Sequence, residues 1–285
     1  MIGYIAIAIA SAIWSLNPAL ISRFKKYVKP IIFTAMRAVM AALFLFPMVF
    51  LNRIELPYSQ PIVIAIIAIS AILGPGIGDA AYTKAIQIIG GSLAVVISYT
   101  YMFIAQIIAA MLFNEKITIF LVIGTVIAFM GVVIATLENS RGSFKWIGIT
   151  YALITSISWG LASSMLKIAL IYSDVFTLTI TRIALIALFF LPIGLIFEGK
   201  PEKSSLKPLI FLATITGILG WGIGMYLFIY SINSIGVSAA TQATSLTPVL
   251  SQITTKLFAR EKPSKTNIIG ALMISMGIAI SATSI

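Results

Sequence analysis

Residues 72–116 read ILGPGIGDAAYTKAIQIIGGSLAVVISYTYMFIAQIIAAMLFNEK, and 146 positions on, residues 218–262 read ILGWGIGMYLFIYSINSIGVSAATQATSLTPVLSQITTKLFAREK. ILGxGIG opens both: Ile72, Leu73, Gly74, Gly76, Ile77 and Gly78 meet Ile218, Leu219, Gly220, Gly222, Ile223 and Gly224. GxSxA follows at Gly90, Ser92, Ala94 and at Gly236, Ser238, Ala240, and Glu115-Lys116 and Glu261-Lys262 close the two stretches. Apolar helices share leucines by chance, but not three motifs at one offset. The duplication reaches outward in both directions. At an offset of 145, Trp14 meets Trp159, Arg37 meets Arg182 and Pro47 meets Pro192; at 146, Gly124 and Gly131 meet Gly270 and Gly277.

The 285 residues are 60% hydrophobic and 9% charged, with a mean hydropathy of +1.10. A soluble domain carries about 25% charged residues, so this chain cannot cover its surface with charge. It reads as an all-α integral membrane protein. The absence of cysteine and histidine excludes disulfides and thiolate or imidazole metal sites, and no cofactor is called for. A net charge of +11 would suggest nucleic acid for a soluble protein. Here the basic residues flank apolar runs, so membrane topology accounts for them and no nucleic-acid partner is expected.

A spanning helix needs about 20 apolar residues. Ten such runs can be read, roughly 3–22, 31–51, 61–82, 92–113, 117–137, 146–171, 174–197, 207–230, 236–258 and 265–284. The first lacks a basic n-region and reads as a retained span. Five runs fall in each half, 1–140 and 146–285. Five is odd, so the second half enters the bilayer from the opposite side. Ten transmembrane helices as a 5+5 inverted-topology repeat are therefore expected, with a pseudo-two-fold axis in the membrane plane. Connections after runs 1, 3, 5, 7 and 9 hold fourteen Lys and Arg, Lys84 among them. The opposite side holds Arg53, Lys116 and Lys167, and Arg37 and Arg182 lie inside spans, which accounts for all 19. The positive-inside rule places the fourteen in the cytoplasm and both termini outside the cell membrane.

Asp79 is the acid placed well inside a span, and intramembrane acids are functional candidates. Its duplicate is Met225, so the shared architecture does not need it. It reads as a proton or cation coupling site or as an anchor for a substrate amine; the packing alternative is an acid satisfied by Arg37 or by hydroxyls. Lys84 lies about 140° around the helix and does not pair with it, whereas Tyr82 shares its side. Arg37 and Arg182 keep their charge, for an architectural role or to bind a substrate carboxylate. Trp14 and Trp159 stand about twelve residues into their runs, away from the interfacial belts where Trp collects. They point to a lined cavity, and Asn17, Tyr82, Tyr99, Tyr226, Gln242 and Ser245 join them as substrate-lining candidates, with Tyr101 beside them. Thr and Gln on the ninth run alternatively hydrogen-bond between helices. Gly74-Pro75-Gly76 and Gly220 to Gly224 weaken two helices at equivalent places, as a midplane break or for close packing. No strand precedes them, so they are not a nucleotide loop.

These residues resemble the EamA-type carriers of the drug/metabolite transporter superfamily. The paired Trp and Arg carry the likeness, with GDAAYTKA at Gly78 to Ala85 (similar to a G-D-x-x-Y-x-x-A pattern), the GxSxA openings, Thr247-Pro248, and Glu115 and Glu261. Pro248 faces Met102 in the first half, so the fourth helix there need not kink alike. The resemblance implies a small-molecule substrate such as an amino acid or amine. It implies movement by alternating access, with export as the expected direction, in a cavity lined by runs 1, 3, 4, 6, 8 and 9. An intramembrane enzyme would need His or Cys with acids, or clustered carboxylates, and the spans offer neither. A channel would show rings of one sign or a filter loop, and none can be read. A secondary carrier is the expectation; a channel or non-transporting scaffold is the alternative.

Overall fold

The computed structural model describes residues 1–51, 54, 60–113, 118–137 and 143–282. Arg53, Glu115, Lys116 and Arg141 lie outside the described residues. The first half contributes helices α1 (Ile2–Phe24), α2 (Pro30–Val49), α3 (Pro61–Ala71), α4 (Asp79–Ile89), α5 (Gly91–Ser98), α6 (Tyr101–Phe113) and α7 (Ile119–Leu137). The second contributes α8 (Ser143–Ala169), α9 (Val175–Phe197), α10 (Lys203–Ile215), α11 (Met225–Ile235), α12 (Val237–Ala243), α13 (Leu246–Thr254) and α14 (Lys265–Ala282). Among the described residues, seven continuous helical runs are long and apolar enough to cross a bilayer. The protein is therefore a multi-pass, all-helical membrane protein.

The glycine-rich stretches do not break their helices. Ile72–Gly78 joins α3 to α4, and Thr216–Gly224 joins α10 to α11, each as a π-helical segment. A proline in an α-helix removes a donor and crowds the carbonyl one turn back. The wider π turn accommodates Pro75 and frees carbonyls for side chains, as π-bulges at functional sites commonly do. Continuity also moves Lys84. It was expected in a connection, but α4 runs on to Ile89 and places it within the helix. What remains of the connection is Gly90 at φ 82°, ψ 162°, with its counterpart Gly236 at φ 84°, ψ 169°. That region is open essentially to glycine alone, which is why GxSxA begins with one.

The fourth helix is interrupted in both halves, with or without proline. α5 gives way to α6 at Tyr99–Thr100, and α12 to α13 at Thr244–Ser245. Thr100 Oγ1 donates to the Ile97 carbonyl (2.7 Å), and Thr244 Oγ1 to the Thr241 carbonyl (2.6 Å). A threonine hydroxyl that takes a carbonyl from its own turn competes with the helix ladder. Thr100 thus interrupts the first half where Pro248 has no equivalent.

Matched helices pack antiparallel. A Cβ on Gly131 would meet the Gly270 backbone, and one on Gly277 would meet that of Gly124, so α7 and α14 run in opposite directions along a shared seam. The start of α2 meets the end of α9: Glu198 accepts from the backbone N–H groups of Ile31 (3.0 Å) and Ile32 (2.9 Å). Another acid ties the halves together. Glu261 accepts from Gly91 N (2.8 Å), Ser92 N (3.0 Å) and Ser92 Oγ (2.7 Å), and from Ser22 Oγ. It caps α5 from the other half, meeting donors that the helix cannot satisfy itself. Glu261→Ala is expected to lower stability by about 1–2 kcal/mol, the usual weight of a helix cap. Thermal unfolding in detergent reads the shift, and an unmoved midpoint would mean that the cap holds nothing.

Candidate functional site

The two π segments border one cavity of about 90 Å³ between the halves, large enough for several waters. Trp14 and Asn17 reach it from α1, Asp79 and Tyr82 from α4, and Trp159 and Ser163 from α8. Arg37 on α2 and Arg182 on α9 line it as well. The second and seventh runs, α2 and α9, thus contribute to the lining, which the expected set lacked. The ninth run, expected to line the cavity, supplies none of its lining residues.

Glycine permits the walls to approach. A Cβ on Gly78 would lie 2.6 Å from the Trp159 ring, and one on Gly224 would lie 2.7 Å from Trp14 Nε1. These contacts are reciprocal, each tryptophan seated on the π segment of the other half. What the indoles do next differs. Trp159 Nε1 donates to Asp79 Oδ1 at 2.8 Å. In the second half Met225 stands where the acid would be, and Trp14 Nε1 donates to the Gly220 carbonyl at 2.9 Å instead.

Asp79 is held by three donors. Arg37 Nη1 lies 2.7 Å from Oδ2, Trp221 Nε1 donates to the same oxygen at 3.1 Å, and Trp159 takes Oδ1. The Arg37 guanidinium also lies 4.6 Å from the Trp221 ring centroid, within cation–π range. Arg37 and Asp79 are both buried, at 1% and 8% exposure. Burial makes such a pair expensive to split, because the survivor is left charged in a medium that solvates it poorly. Arg182 is equally buried, at 3%, yet its contacts are of another kind. Nη2 donates to the Ser70 carbonyl at 2.9 Å and Nη1 approaches the Met225 sulfur at 3.7 Å. Among the described residues no carboxylate lies within salt-bridge distance of Arg182.

An aromatic shell surrounds Trp159, with Tyr82, Tyr99 and Tyr101 centroids at 5.0, 5.8 and 5.7 Å. Trp14 packs edge-on against Phe228 at 5.3 Å. The structure therefore gathers Trp14, Asn17, Tyr82, Tyr99, Trp159, Asp79, Arg37 and Arg182 around one space. Tyr226, Gln242 and Ser245 are not among its lining residues. Tyr226 packs at the margin of an apolar cluster, Gln242 is buried, and the Ser245 carbonyl accepts from Ser275 Oγ at 2.6 Å. Trp221, Met225 and Phe228 line the cavity though the sequence reading did not select them. The space thus combines an ion pair, a second guanidinium and aromatic walls.

Comparisons with known proteins identify the family. The model of the EamA-like transporter family matches residues 1–137 and again 146–283. An uncharacterized transporter, YoaV, of Bacillus subtilis (strain 168) is 23% identical over 253 residues, covering 88% of this chain and 86% of its own. An uncharacterized transporter of Archaeoglobus fulgidus is 26% identical over 215 residues, covering 75% of this chain and 74% of its own. One crystal structure, 16% identical, superposes with a TM-score of 0.72 over 99% of this chain and 96% of that one; it supports the fold alone.

Proposed function

The chain belongs to the EamA-like transporter family, and from that premise we propose that it is a secondary carrier that moves a small organic solute by alternating access. The observation that carries this reading is a cavity between the halves, lined from both. We further read residues 1–140 and 146–285 as five-helix repeats of inverted topology. Antiparallel α2/α9 and α7/α14 packing and the reciprocal tryptophan contacts support this: an axis along the membrane normal would make matched helices parallel, whereas an in-plane axis makes them antiparallel. Two such halves can exchange conformations and open either face in turn. Export is the direction expected in this reading.

The substrate residues are Trp14, Asn17, Tyr82, Tyr99 and Trp159 in this reading. Asp79 is first the counter-ion of Arg37. The Arg37 guanidinium at 2.7 Å favours the ionised carboxylate, so in this reading coupling to a proton requires a state in which the Arg37 pair has opened. Counterflow in proteoliposomes tests the carrier reading. Preloaded solute should accelerate uptake of labelled solute, and uptake indifferent to preloading would indicate a channel. Topology has its own test. A reporter fused after Ile285 should be active outside the cell, given thirteen basic residues on one side, with Lys84 left out as helical, against three on the other. Cytoplasmic activity would overturn the orientation.

A further inference from the structure

The two halves place an arginine at matched positions, but only one arginine has an acid. Arg37 is neutralised by Asp79 at 2.7 Å, whereas the residue matched to Asp79 is Met225, whose sulfur lies 3.7 Å from Arg182 Nη1. Arg182 remains charged at any physiological pH. Its Nε–H, like that of Arg37, has no hydrogen-bond acceptor among the described residues, but here the group that occupies the acid's place is a weak acceptor. The lining side chains therefore sum to one uncompensated positive charge. Charged residues inside membrane spans pair with one another or with backbone carbonyls and mark solute pathways; Arg182 has the Ser70 carbonyl and no acid.

We propose that Arg182 is the subsite for the carboxylate of a small monoanionic solute, and that this group, rather than an amine, is what the cavity selects. The inference rests on the carrier reading and names its substrate class. Asp79 already carries three donors, and its charge is balanced by Arg37 at 2.7 Å, so a substrate ammonium there would have to compete with a resident guanidinium. One excess charge matches one carboxylate, and a phosphate dianion would reverse the imbalance. The neighbouring wall suits an apolar body: Phe228 follows Met225 by one helical turn, and Trp14 packs against Phe228. Arg182 lies seven residues into α9, about 10 Å along the helix at 1.5 Å per residue. In the proposed topology that is the outer half of the membrane, opposite Arg37 and Asp79.

The test uses purified protein in detergent and three probes of one shape: benzoate, benzamide and benzylamine. Benzoate should raise the melting temperature, and the amide and amine should not. Met225→Asp recreates the Arg–Asp pair of the first half. It should fold and bind benzoate about tenfold more weakly or worse, as expected when a charge-assisted hydrogen bond is lost. Should that variant fail to fold, Arg182→Gln, which keeps a donor for the Ser70 carbonyl, should lose the benzoate response likewise. Stabilisation by benzylamine or benzamide alone, a benzoate response that survives in a folded variant, or no response to any probe each overturns the assignment. Counterflow of a cationic or uncharged solute would overturn it while leaving the carrier reading in place.

Discussion

Replacing Asp79 by Asn is expected to cost the folded protein about 3–5 kcal/mol, the usual penalty for stripping one partner from a buried ion pair. Asparagine keeps one oxygen, so it can accept from Trp159 or from Trp221 but not from both, and Arg37 is left charged and 1% exposed. Arg37→Met should be comparably damaging, because it strands the carboxylate. The double variant Arg37→Met, Asp79→Met removes both charges together and should recover most of the loss, since a buried pair contributes little net stability over apolar side chains. The non-additivity of the cycle, read by thermal unfolding, measures the coupling. Additive losses would mean that the 2.7 Å contact is not what holds the two helices. A different result would reassign the residue. If Asp79→Asn folds normally, exchanges solute in counterflow and fails only to accumulate it against a gradient, Asp79 couples transport.

Trp159→Ala should be nearly as severe. The indole donates to Asp79, closes over Gly78 and takes three tyrosine rings around it. Its half-buried position places the cost toward the low end of the aromatic-to-alanine range, about 3 kcal/mol. Counterflow should fall to background because the cavity loses its shared wall. Trp159→Phe separates the two contributions. It keeps a ring among the tyrosines but cannot donate to Asp79, and should cost about 1–2 kcal/mol while retaining measurable exchange. Equal effects from Ala and Phe would put the whole role in the N–H.

Much of this arrangement was legible because duplication leaves two copies to compare. Trp14 and Trp159, at one offset and far from helix ends, do face one cavity, and Asp79 does find Arg37. Trp221 escaped because it fills the variable position of ILGxGIG, opposite Pro75, and the motif drew attention to its constant residues. A tryptophan in mid-span among glycines carried the same signal that singled out Trp14. Tyr226 is a candidate in the sequence because it places a polar or aromatic group within a span. Helical phase decides otherwise: Met225 and Phe228 lie three apart on the cavity face, and Tyr226 is turned about 100° from Met225. Gln242 follows the same logic, buried between helices rather than facing the cavity. The break before α6 was missed because only proline was sought, and Thr100 accomplishes it through its hydroxyl. Glu261 was read as the end of a motif; its role as a cap on α5 appears only when the halves are brought together.

The central claim is that this cavity is the substrate site and opens to each face in turn. The chain has no cysteine, so Ser163→Cys places a single thiol on the cavity wall without further engineering. A membrane-impermeant maleimide should label it in right-side-out vesicles and, separately, in inside-out vesicles, with transported solute slowing both reactions. Labelling confined to one face, or indifferent to solute from both, would contradict the account.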